Sequence, residues 1–384
     1  MTVETHLYGG VSQDEIKNPT ILEAIAYFNG LVSVAETEWK PISNMKSGAD
    51  SDLKKLLDIK GYTIHVNQQQ NSTLPPATRT VFRLPSGWTP LHFWSLFSTV
   101  ELRALWDERT EKSEIIQQAF DKHHGGLSSL VKTSQKGFML ISGRELVVVS
   151  SPLMAMGDGY LTVLRSCDEE QVCKDYPYLA NALARDKKRV RANALLSAVY
   201  IKPTNTVEGN GQPQYQCMII SHGDPKGSLP FTVAEMQTNN QAISSPLKMI
   251  QYGLKYGVPP KCIITSTDMI VGAAMWDPSS QKYEATIQVK YLAHSKMRVV
   301  LDPVVYNHDY AFQESVGSLF GGVLITVSSP GLHINRWKKY GIEIEATRLD
   351  TFTLKIEPCT ETSLNGCSTA QQIGGDECDI QVIY

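Results

Sequence analysis

The chain has 384 residues, 42% of them hydrophobic and 20% charged, with a formal net charge of -3. That length asks for two or three domains, and the balanced charge argues against a nucleic-acid surface, which needs a strongly basic face. No apolar run reaches the 18 residues of a spanning helix, and MTVETHLYGG has no secretory character, so a cytoplasmic globular chain is expected.

Taken in order, residues 19–36 read as a helix, with Pro19 at its first position and Ile21, Ile25, Phe28 and Val32 at helical spacing. Strands are expected at 61–66 and 78–84, with polar loops between. Leu91, Trp94, Phe97 and Leu105 then describe a helix over 91–106. Six strands follow, at 114–120, 129–135, 144–151, 160–166, 192–202 and 215–222. A last helix is expected over 244–256, with Ser245 as cap, Pro246 first and Gly257 as stop. Val258-Pro259-Pro260 marks a boundary. Beyond it, 285–291, 342–346, 351–357 and 379–384 alternate as half-buried strands, while 297–301 and 321–327 read as more fully buried. An all-β sandwich is expected there.

The seven cysteines are odd in number and none has C-x-x-C spacing, so free thiols are expected. Cys359, Cys367 and Cys378 lie close enough for a disulfide only in an oxidising compartment. No G-x-S-x-G, H-E-x-x-H, P-loop or G-x-G-x-x-G occurs, so no cofactor, no metal and no catalytic residue is expected.

Five runs carry a more specific signal. They are Leu102-Arg103-Ala104-Leu105-Trp106-Asp107, Ile141 to Val147, Lys188-Arg189-Val190-Arg191, Ile201-Lys202-Pro203, and Asp224 to Pro230 ahead of the last helix. Their order and spacing resemble the START (StAR-related lipid transfer) family over about residues 20–258, and the R-x-x-W-D run is most similar to phosphatidylcholine-transfer members. The resemblance implies a helix-grip fold, in which a curved antiparallel sheet and a long C-terminal helix enclose a tunnel for one lipid or sterol, gated by that helix and by the 152–160 loop. The sequence departs from the usual pattern at Glu145 and in a 167–188 loop longer than that of most members, and the family says nothing about the C-terminal region.

The organisation expected is therefore α+β. Residues 1–37 are a lead-in helix, 38–260 a START-like lipid-binding domain and 261–384 a β-rich, sandwich-like domain. Arg103, Asp107 and Arg144 are candidate polar anchors, since a buried charge is costly unless paired and a guanidinium suits a phosphate. Trp106, Met154, Met156, Leu195, Met218, Met249 and Ile250 are candidates for the apolar wall and gate, together with Phe138, Met139, Leu146, Val148, Val199 and Ile220. The basic run from Arg185 to Arg191 is either a membrane contact or a solvated loop. The function expected is non-catalytic lipid binding and transfer, with transient membrane contact. The ligand tilts toward a zwitterionic phospholipid, with sterol as the other option, and no nucleic acid. Trp276, Trp337 and Lys338-Lys339 are candidates for a protein- or membrane-binding surface on the C-terminal domain. The rivals are an enzyme acting on a hydrophobic substrate in the same cavity and a ligand-free scaffold.

Overall fold

A computed structural model describes residues 11–12, 16–41, 63–67, 74–120, 128–137, 141–207, 213–264, 269–289, 295–301, 323–327, 332–337, 341–346, 349, 351–358, 371–373 and 380–383. The chain divides into two compact units, residues 1–94 with 103–250, and residues 95–102 with 251–384.

The first unit is built on strands β1 (Val11–Ser12), β2 (Trp39–Pro41), β3 (Thr63–Asn67), β4 (Ala77–Arg83), β5 (Thr110–Phe120) and β6 (Ser128–Gln135). These continue with β7 (Arg144–Ser150), β8 (Met154–Met156), β9 (Gly159–Ser166), β10 (Val190–Arg191), β11 (Asn193–Val207) and β12 (Pro213–Asp224). The sheet order is β2-β3-β4-β12-β11-β9-β7-β6-β5, antiparallel throughout, with the short β1, β8 and β10 added at its margins. Its helices are α1 (Pro19–Val32), α2 (Pro90–Ser98), α3 (Glu169–Asp175), α4 (Ala180–Leu183) and α5 (Phe231–Tyr256), of which α2 and α5 run on into the second unit.

Asn18 caps α1 by accepting the Ile21 amide at 3.2 Å, and Pro19 stands at the first turn, where its missing N–H costs nothing. Ile21, Ala24, Ile25, Phe28 and Leu31 lie along one stripe and are all buried. They pack on Leu130, Val147, Val149, Leu161, Leu196 and Ile220, so α1 covers one face of the central strands. Each large apolar side chain buried there contributes about 1.5–3 kcal/mol. Registers define the opposite, inner face: Thr80, Ile219, Val199 and Thr162 are successive cross-strand partners and point the other way.

Helix α5 covers that inner face. It starts at Phe231, directly after the 224–230 turn, and not at residue 244. Ser245 is therefore no cap and Pro246 lies inside the helix. A proline cannot donate to the carbonyl four residues earlier. That carbonyl, of Ala242, accepts the Thr80 hydroxyl of β4 at 3.0 Å instead, which fixes the helix to the sheet. Gly257, at φ +81°, ends the helix as its sequence promised.

Three further differences from the sequence reading have local causes. The helix expected over 91–106 stops at Ser98 because Thr99 turns its hydroxyl back to the Ser95 carbonyl at 2.6 Å; a 3-10 turn carries the chain through Val100–Leu105. The 167–188 segment is not plain loop. It holds α3, capped by Asp168 with Glu169 and Glu170 in the first turn, and α4. The segment 152–160 is a β8–β9 hairpin, not an open gating loop.

His222 on β12 faces α1, 5% exposed, with its Nδ1 at 2.5 Å from the Tyr27 hydroxyl. Burial lowers its pKa below the usual 6.5, partly offset by the Pro75 carbonyl and the Asp224 carboxylate. The imidazole is thus favoured neutral in the fold. Its contribution is complete above the unfolded value and is lost as pH falls through the lower, folded one. Unfolding midpoints should decline below about pH 6.5, and His222→Gln should flatten part of that decline.

The second unit contains β13 (Lys261–Ile264), β14 (Met269–Asp277), β15 (Lys282–Val289), β16 (Ser295–Val300) and β17 (Val323–Val327). It continues with β18 (Leu332–Trp337), β19 (Gly341–Ala346), β20 (Thr351–Pro358), β21 (Gln371–Ile373) and β22 (Ile380–Ile383). Two sheets, β13-β16-β19-β18 and β14-β15-β20-β17-β22-β21, share one core. Met297, Val299, Ile342 and Ile344 enter it from one sheet, and Ala285, Ile287, Phe352 and Leu354 from the other. The run at 297–301 alternates and is not buried on both sides: Lys296 and Arg298 pair with Glu343 on the other face. Trp276 is a core residue, 6% exposed, and not part of a surface. The side chains of β17 and of Trp337, Lys338-Lys339, and Cys359, Cys367 and Cys378 lie outside the described residues. Cys167, Cys173, Cys217 and Cys262 are free thiols.

Candidate functional site

The 3-10 turn after Thr99 delivers Arg103 and Asp107 to each other, Nε to Oδ2 at 3.2 Å, with the guanidinium 5.6 Å above the Trp106 ring. The Asp107 side chain is only 8% exposed. It also accepts from the Arg109 amide at 3.1 Å and the Thr110 hydroxyl at 2.8 Å. This carboxylate therefore organises the turn into β5 as well as neutralising Arg103. Trp106 is buried beside it.

Arg144, at the start of β7, is buried too, but it meets no carboxylate. Its guanidinium donates to the carbonyls of Ser142, Pro225 and Lys226. Burial, and secondarily the Arg109 charge, lower its pKa. Lys226 and Gly227 hold φ +50° and +75° in the turn it grips. Arg144 is thus a clasp on the turn that feeds α5.

The basic run is largely consumed within the fold. Arg189 pairs with Glu111 at 2.7 Å and Asp186 at 3.0 Å, and Arg191 with Glu145 at 3.0 Å and Glu169 at 3.2 Å. Glu145, 2% exposed, also meets Lys132 at 3.2 Å. Lys132 in turn donates to the carbonyls of Ala182 and Ala184, so this buried network seats the 167–188 segment on the sheet. Among residues 185–191, Arg185, Lys187 and Lys188 are the exposed cations.

The expected wall residues fall on both faces of the sheet. Met154, Met156, Met218 and Ile220 belong to the core under α1, which removes them from any wall on the α5 side. Register gives the reason: Met154, Leu161, Tyr200 and Met218 are successive cross-strand partners, and Tyr200 touches Phe28 of α1. Val148 and Val199 lie on the inner face, and Met249 and Ile250 are buried on α5. Leu195 is the extra residue of a β-bulge in β11, half-buried, its carbonyl taken by Arg165 at 2.9 Å. Phe138 and Met139 lie outside the described residues.

The α1 side and the α5 side differ in closure. Beneath α5, beside the Thr80–Ala242 contact, Ile219, Ser197 and Ser221 stay only half-buried although a helix covers their face. On the other side of α5 a 430 Å³ cleft lies against the 107–109 turn, lined by Asp107, Arg109, Lys136, Gln241, Ser245 and Lys248 among others.

Sequence reasoning missed Glu145 as a centre of charge. Among the described residues, no group of three or more His, Cys, Asp or Glu is placed to hold a metal, and no helix is long and apolar enough to cross a membrane.

Residues 77–245 match the family model for the START domain. Among solved structures, human STARD10 is similar at 16% identity over 64% of this chain and 84% of its own, with a TM-score of 0.45. Human StAR-related lipid transfer protein 5 is similar at 16% identity over 60% and 93% of the two chains, with a TM-score of 0.44. A Xanthomonas axonopodis STAR-related lipid transfer protein is similar at 15% identity over 56% and 98%, with a TM-score of 0.40. No curated protein sequence matches the chain.

Proposed function

With residues 77–245 matching the START domain as premise, we propose that this chain binds one lipid between the inner sheet face and α5. It then carries the lipid between membranes without chemical change. The observation that carries the reading is the half-buried state of Ile219, Ser197 and Ser221 beneath a covering helix. An acyl chain or ring system placed there leaves water and gains about 0.8 kcal/mol per methylene. Val199, Ile219, Met249 and Ile250 are the wall in this reading, and the α5 lead-in clasped by Arg144 is what must yield for loading. The Arg103–Asp107 pair serves first to hold the turn at the mouth. The START-like domain of this reading spans 38–260, and the β-rich domain over 261–384 acts as an interaction module. The protein visits membrane surfaces transiently.

Mass spectrometry of protein purified from cells is expected to find lipid at about one molecule per chain. Absence of lipid after incubation with vesicles, together with no transfer between vesicles, overturns the reading.

A further inference from the structure

We propose that the cleft between α5 and the 107–109 turn binds a phosphate monoester, with Arg109 and Lys136 supplying the counter-charge. The site lies on the opposite face of α5 from the lipid reading above and stands without it.

Arg109 directly precedes β5 and Lys136 directly follows β6. The Lys136 amide donates to the Arg109 carbonyl at 2.8 Å, which extends the ladder that pairs Thr110 with Gln135. The two side chains stand opposite each other, and both line the cleft. Like charges in that relation repel and cost stability. Neither side chain forms an ion pair or a hydrogen bond among the described residues.

The carboxylates of the cleft are already taken. Asp107 answers Arg103, the Arg109 amide and Thr110, while Glu108, its side chain 81% exposed, pairs with Lys248 at 2.9 Å. Arg144 adds a further cation, answered only by carbonyls and felt by the Arg109 charge. Uncompensated positive charge is thus gathered in a concavity of 430 Å³, which suits a small organic ligand.

The facing wall is a stripe of α5: Gln237, Gln241, Ser244, Ser245 and Lys248, all half-buried. It runs opposite the buried stripe of Ile243, Leu247 and Ile250. Among the described residues, the two amides and two hydroxyls make no side-chain hydrogen bond. They are donors that the fold does not use. A phosphate monoester carries a charge of about -1.5 to -2 at pH 7 and three acceptor oxygens. That charge balances Arg109 and Lys136 together, and the oxygens can be shared between a guanidinium and the donors of α5. A carboxylate or a phosphodiester, with a single charge, leaves one of the two cations unanswered.

The test is calorimetric titration of the full chain with glycerol phosphate, against dimethyl phosphate as the diester. In parallel, flotation compares phosphatidylcholine vesicles doped with phosphatidic acid, a monoester, or with phosphatidylglycerol, a diester. The monoester is expected to bind about tenfold tighter than the diester, and to weaken between about pH 7.5 and 5.5 as the phosphate takes up its second proton. Binding of glycerol phosphate alone makes the ligand soluble; binding of the phosphatidic acid vesicles alone makes it a headgroup. Arg109→Gln and Lys136→Gln are each expected to weaken binding about tenfold or more and to melt no lower than wild type. Glu108→Gln, which releases Lys248, should tighten it severalfold, and Lys188→Gln should change nothing. Failure of both monoester probes to bind, equal affinity for monoester and diester, or unaltered binding by both cation variants overturns the site. A marked fall in melting temperature for both variants also overturns it, by making the two cations structural. Failure of lipid loading alone would overturn only the lipid reading.

Discussion

Glu145→Ala is expected to lower the free energy of unfolding by about 3–5 kcal/mol. The carboxylate is 2% exposed and lies between Lys132 and Arg191, at 3.2 and 3.0 Å. Removing it leaves two cations close together in a poorly hydrated place, with only backbone carbonyls and Glu169 to answer them. Breaking one partner of such a set costs far more than the set contributes over an apolar replacement. A combined Lys132→Met, Glu145→Leu protein should therefore be more stable than Glu145→Ala alone. Urea unfolding monitored by far-ultraviolet dichroism measures both. If the single variant loses less than about 1 kcal/mol, in the range of a surface ion pair, the network does not hold the 167–188 segment.

Arg144→Met should cost less globally, about 2 kcal/mol, with its effect concentrated in one place. Three carbonyls lose their donor, two of them in a turn where Lys226 is held at φ +50°. Such a conformation persists in a non-glycine residue only when its surroundings hold it. Amide hydrogen exchange over 224–240 is expected to accelerate by about tenfold or more, while β7, β9 and β11 stay protected. In the lipid reading the same variant loads and releases ligand faster at unchanged stoichiometry. Uniform exchange across the sheet and the turn would mean that Arg144 has no special hold on the helix lead-in.

The longer strands of the first unit, β3–β7, β9, β11 and β12, were legible from their apolar and β-branched runs, whereas the short β1, β2, β8 and β10 were not. Which helix covers which face was not legible. Met154 and Met218 look equally suited to a lipid wall or a packed core, and only the cross-strand register with Leu161 and Tyr200 assigns them to α1. Helix α5 was half read, for a physical reason. Its first half, FTVAEMQTNNQAISS, is too polar to show a stripe, and Pro246 imitates a start signal. That half is helical because the sheet holds it, not because its sequence insists. The Arg103–Asp107 pair was readable from spacing alone, whereas the extra duty of Asp107 toward Arg109 and Thr110 needed the turn itself. The DEE at 168–170 was a readable helix cap in a stretch taken for loop.

The proline within α5 has a mechanical consequence. A continuous helix resists bending through a ladder of amides that share any load. Here one rung is replaced by a threonine hydroxyl reaching across from β4. A force on the N-terminal arm of the helix is therefore not spread along 26 residues; it concentrates on a single sideways tether. The helix behaves as two rods with a joint near residue 242, and the first rod is the arm that can swing.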